Sequence, residues 1–87
     1  MKVSVWDTYV PRLDGKIMHF DILVPNALSD IKTIFGFGTE FLKENPFKTG
    51  KITVNECRFC HIACASDEIV KSIHAKGYHI IELENCH

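Results

Sequence analysis

Residues 2–10 and 16–24 are rich in Val, Ile, Phe, Tyr and Trp, and read as two β-strands. In the second, period-two alternation puts Met18, Phe20, Ile22 and Val24 on one face and His19 and Asp21 on the other. Pro11-Arg12-Leu13-Asp14-Gly15 lies between the strands, and Asp-Gly is a strong turn signal, so the pair forms a hairpin. A five-residue loop centred on Leu13 would set Asp7 opposite His19 and Val5 opposite Asp21. A two-residue turn at Asp14-Gly15 would break that pairing. Pro25-Asn26 ends the hairpin.

The period then changes. From about Ser29 to Lys43, Ile31, Ile34, Phe35, Phe41 and Leu42 fall on one side of a helix, with Ser29 as its N-cap. Gly36 and Gly38 weaken that helix by about 1 kcal/mol each relative to Ala. Pro46 and Gly50 occupy the loop beyond it, and residues 51–57 suit a third strand. Ser66 caps a second helix running to about Lys76, with Ile69, Val70 and Ile73 inward and Gly77 placed as a C′ glycine. Residues 78–84 make a fourth strand. The order ββαβαβ implies an α+β fold: a four-stranded, mostly antiparallel sheet with both helices packed on one face.

At 87 residues the chain is expected to be one domain, 1–87. A domain of this size buries only about 60% of its unfolded-chain surface, so a metal or a partner subunit would add useful stability. Hydrophobic residues make up 46% and charged residues 24%, ordinary for a globular protein. The net charge of −1 leaves no basic footprint, which argues against nucleic-acid binding. No apolar run approaches the roughly 18 residues needed to span a bilayer. The first residues read as a strand rather than a signal peptide. A cytoplasmic location with reduced thiols is the expectation.

Chemistry concentrates in Glu56-Cys57-Arg58-Phe59-Cys60-His61, with Cys64 following and Cys86 near the end. Coiled helically, the segment would put Cys57, Cys60 and Cys64 on one face; extended, Cys57 and Cys60 would point to opposite faces. Cys57, Cys60, His61 and Cys86 form the candidate metal set, with zinc as the fitting ion and His19 or His87 as alternative nitrogen ligands. A thioredoxin-like thiol site would need a later cis-proline, and the prolines are Pro11, Pro25 and Pro46. Covalent haem fits Cys-x-x-Cys-His literally but occurs after export, for which no signal is visible. Small thiols packed near a strand end are the plain alternative.

A second constellation is Asp7, Tyr9, His19 and Asp21 on one hairpin face. An Asp beside a His fixes its tautomer for base chemistry or metal ligation, which makes His19, Asp7 and Asp21 the catalytic candidates. The plain alternative is a polar, solvent-facing sheet surface. Gly36-Phe37-Gly38-Thr39 lacks the sequel of a phosphate loop.

Asp7-Thr8-Tyr9-Val10, Met18-His19-Phe20-Asp21, Glu56-Cys57-Arg58-Phe59-Cys60-His61, Gly77-Tyr78 and the near-terminal Cys86 together resemble a small bacterial family of uncharacterised proteins, grouped as a domain of unknown function. The resemblance spans nearly the whole chain and implies a compact α+β fold that begins with a hairpin. It implies no activity. Cys57, Cys60, His61, His19 and Cys86 match its pattern, whereas Cys64 and His87 depart from it.

Three functional classes follow. The leading one is a small cytosolic binding or accessory protein with a structural or regulatory Cys/His metal or thiol site. The second is an enzyme with His19 as base, oriented by Asp7 or Asp21, and Cys57 or Cys60 as nucleophile. The third is an interaction module without a site, a homodimer or a protein partner adding to an exposed sheet edge.

Overall fold

The computed structural model describes residues 1–45, 47–50 and 54–86. Pro46, residues 51–53 and His87 lie outside the described residues. The elements are strands β1 (Lys2–Pro11) and β2 (Ile17–Pro25), helix α1 (Ile31–Glu44), strand β3 (Cys57–Cys64), helix α2 (Asp67–Lys76) and strand β4 (His79–Glu84), with a single 3-10 turn at Val54–Glu56. The strands form one antiparallel sheet in the order β3-β1-β2-β4. The ββαβαβ order and the α+β class are those the sequence implies.

The turn centre differs from the Leu13-centred reading by one residue. Arg12 N–H donates to Lys16 O at 2.7 Å and Gly15 N–H to Arg12 O at 3.2 Å. The loop is therefore Leu13-Asp14-Gly15, and Gly15 at φ +93° takes the left-handed position that closes such a three-residue turn. The centre moves to Asp14, so Asp7 pairs with Asp21 and Tyr9 with His19. Moving the centre by one shifts each partner by two, which keeps every side chain on its expected face.

The third strand is also displaced. Of residues 51–57, the first three lie outside the described residues, 54–56 form the 3-10 turn, and the strand begins at Cys57. The cysteine segment is itself the strand. Its bonds to β1 run Trp6↔Phe59 and Val5↔His61, leaving Cys60 as the extra residue of a β-bulge.

α1 starts one residue later than a Ser29 cap would give: Asp30 accepts from Lys32 N–H at 3.2 Å and from Thr33 Oγ1 at 2.8 Å. Ser66 caps α2 through Ile69 N–H, and Gly77 closes it at φ +92°.

The helices lie on opposite faces of the sheet, correcting the expectation that both cover one. Ile34 of α1 packs with Val10, Met18, Phe20, Ile22 and Val24, with Phe35, Phe41 and Leu42 around them. Ile73 and Ile69 of α2 pack with Val3, Val5, Leu23 and Ile81, whose side chains alternate to the other face. The central strands are apolar on both faces at this end, and each face needs its own cover. α2 covers Val3, Val5 and Leu23 but not Asp7, Tyr9, His19 and Asp21, which stand on the same face further along the hairpin. No described helix is long and apolar enough to cross a membrane.

Candidate functional site

The register builds a two-rung square on this uncovered half-face. Asp7 is opposite Asp21, and Tyr9 is opposite His19. The Tyr9 and His19 rings stack at 4.1 Å between centroids with 11° between planes. In this arrangement His19 Nε2 lies 3.4 Å from Asp7 Oδ1 and 3.8 Å from Asp21 Oδ1. One ligand atom each from Asp7, His19 and Asp21 lies within 4.8 Å of the other two. Among the described residues this is the group of three or more Cys, His, Asp or Glu side chains that converges in this way.

Two carboxylates directly across an antiparallel pair repel, and the site resolves this by holding them in different states. Burial pushes the Asp21 carboxyl up to about 7, helped by the hydrogen bond and charge of Asp7 and opposed by His19. Asp7 moves the other way. Its hydrogen bond with Asp21 holds it below the usual range, against some desolvation, and contacts with the Cys60 thiol and His19 add to the effect. A hydrogen bond between two carboxyls needs a proton between them, and Asp21 carries it. Asp21 Oδ1 is otherwise buried without a donor. At neutral pH the pair therefore holds about half a proton on average, and more below it, where two carboxylates in water would hold none.

β3 borders the square on the far side of β1. Arg58 pairs with Asp7 and His61 with Val5, and the Cys60 bulge falls between those rungs. The extra residue carries the Cys60 thiol to Asp7. Desolvation and the Asp7 and Asp21 charges push that thiol up. Its sulfur also lies 3.1 Å from His61 Nδ1, and both side chains are exposed.

The remaining members of the cysteine set stand elsewhere. Cys57 and Cys86 are each 4% exposed in the core under α1, on the opposite face from His19. The Cys86 thiol donates to His19 O at 3.5 Å and Glu84 O at 3.4 Å. Burial pushes both thiols up. The structure thus brings Cys60 together with His61, and Cys60 with Asp7, while Cys57 and Cys86 act as core residues. Cys64 is exposed, and His87 is outside the described residues.

An open cleft of about 570 Å³ adjoins the square. It shares Asp7 and Tyr9 with the square, and adds Cys60, Asn55, Glu56, Arg58 and Phe59. Sequence reasoning found the square by alternation alone but missed the Asn55, Glu56 and Arg58 wall. Their signal was Asn55-Glu56 just before Cys57 and Arg58 just after it, which the displaced third strand hid.

Residues 1–83 match the family described as a domain of unknown function, DUF2024. The chain belongs to this family. Among solved structures it is similar to the protein NE1680 of Nitrosomonas europaea, determined by NMR as a structural genomics target: 37% identity, all of both chains covered, TM-score 0.85. No curated protein matches the chain. The DUF2024 family and this relative carry no stated activity, so function has to be argued from the square and its cleft.

Proposed function

We propose that the protein is a small binding protein whose site is a divalent transition-metal centre formed by Asp7, His19 and Asp21. The carrying observation is the convergence of an imidazole nitrogen and two carboxylate oxygens within 4.8 Å on a surface the helices leave open. One imidazole and two carboxylates suit zinc or a similar borderline ion, and three protein ligands leave coordination positions for something else. The proton held to about pH 7 on Asp21 supports this reading. It neutralises a carboxylate pair that a cation would neutralise better, and Asp21 Oδ1 has room for a partner it otherwise lacks. Cys60, in contact with Asp7 and His61, stands at the rim and is the thiol that would respond to the metal.

Compared with the set Cys57, Cys60, His61 and Cys86, this centre keeps Cys60 as a neighbour and draws its ligands from the hairpin. Native mass spectrometry of reduced, untagged protein with added zinc tests it. One zinc per chain that persists in Cys57→Ser and is lost in His19→Gln is expected. Zinc retained by His19→Gln, or none bound by the wild type, overturns it.

A second reading has one observation in its favour: two adjacent carboxyls with pKa values driven apart form an acid and a base. On that reading Asp21 donates and Asp7 accepts a proton for a substrate in the cleft. A cysteine nucleophile gains no support, because Cys57 faces the core and the Cys60 thiol is pushed away from its ionised form.

A further inference from the structure

The metal reading leaves the adjoining cleft without an occupant. Its volume of about 570 Å³ falls in the range that small molecules fill. Three features define what suits it. Tyr9 is 50% exposed, so one large aromatic side chain lines the cleft without being fully covered by the fold, whereas the Phe59 ring packs edge-on against Trp6 on the α1 side of the sheet. Arg58 supplies a cation, and its Nε–H donates to Asn55 O at 3.3 Å, which orients the guanidinium at the rim. Asp7 belongs to both the cleft and the ligand trio, so the cleft meets the trio at that carboxylate.

An aromatic or similarly flat apolar body suits the exposed Tyr9 ring. A planar, singly charged oxyanion suits a guanidinium and a metal side by side, since a carboxylate can give one oxygen to each. A more highly charged anion such as phosphate is disfavoured by Glu56 and Asp7 on the same walls. We propose that the cleft beside Asp7 binds a small aromatic carboxylate, with Arg58 and the ion held by Asp7, His19 and Asp21 sharing its two oxygens. This proposal rests on the metal reading.

The test uses the full reduced chain, zinc alone first, and then benzoate as the probe. Zinc affinity is measured by calorimetry, and benzoate binding by amide shifts in two-dimensional NMR. Benzoate is expected to saturate one site on zinc-loaded protein, moving Tyr9, Arg58 and Phe59, and to bind at least about tenfold more weakly without zinc. Arg58→Gln, at an exposed position, should weaken benzoate roughly tenfold, the worth of a charge-assisted hydrogen bond, and leave zinc affinity unchanged. Tyr9→Leu, saturated with zinc, should weaken benzoate. If zinc binds and benzoate moves nothing, or Arg58→Gln binds benzoate as the wild type does, the cleft proposal fails and the metal reading stands. Inorganic phosphate competing at equal concentration on the same residues would also overturn it. Absence of zinc binding removes both together.

Discussion

Asp21 keeps its proton to about pH 7, whereas an unfolded Asp loses it near 3.8. The folded state therefore binds more protons than the unfolded chain between about pH 4 and pH 7, and stability from this residue falls as pH rises through that window. Asp7, held low, contributes in the opposite sense, and its share is lost as pH falls below the ordinary Asp range. Metal-free protein should thus lose thermal stability from mildly acidic to neutral pH. Asp21→Asn, which mimics the protonated acid, should flatten that slope and raise the melting temperature above pH 7. Melting curves from pH 4 to 8 check this; an unchanged slope in the variant would show that Asp21 does not carry the proton. The alternation of Met18-His19-Phe20-Asp21 announced which side chains share a face. That two carboxylates stand directly opposite each other was not legible, because it depends on whether the turn centres on Leu13 or Asp14.

Elements differ in how openly the sequence declared them. Helix α2 was marked at both ends, by Ser66 and Gly77, and both signals are local. Strand β3 was misplaced because nothing local marks its start: its pairing with β1 is a long-range choice, and five of its eight residues in a row are exposed on an edge. The Cys60 bulge follows from that pairing, so whether Cys57 and Cys60 shared a face could not be read from their spacing. The glycines of α1 separate by environment. Nothing lies within 4 Å of a Cβ at Gly36, which is exposed, so Gly36→Ala should stabilise by about 1 kcal/mol through helix propensity. At Gly38 a Cβ would meet Ile22 Cδ1 at 3.0 Å, with Phe20 behind it. Gly38→Val should destabilise by about 1–3 kcal/mol by overpacking. Urea denaturation of the two variants should therefore move the midpoint in opposite directions; equal shifts would mean that α1 is not seated on Phe20 and Ile22.

At the scale of the molecule, the two-sided sheet explains where the Asp7, Tyr9, His19 and Asp21 square is left open. α1 closes one face over Met18, Phe20 and Ile22, and α2 closes only the Val3, Val5 and Leu23 end of the other. The uncovered remainder holds the square. The consecutive apolar run Ile22-Leu23-Val24 was the sequence signal that both faces are buried at that end. The four thiols divide along the same line: Cys60 and Cys64 are exposed, Cys57 and Cys86 buried. Under native conditions the first pair should react with a maleimide promptly and the second only on unfolding, as mass spectrometry of the labelled chain would show. Four equally fast thiols would contradict the placement of Cys57 and Cys86 beneath α1. The central claim is that Asp7, His19 and Asp21 take a divalent cation in place of the Asp21 proton. Calorimetric zinc titration at pH 6.5, repeated in buffers of different ionisation enthalpy, tests it most directly. One zinc per chain is predicted, with a proton release that is smaller in Asp21→Asn by most of one proton. Zinc binding without proton release, or release unchanged in that variant, would contradict it.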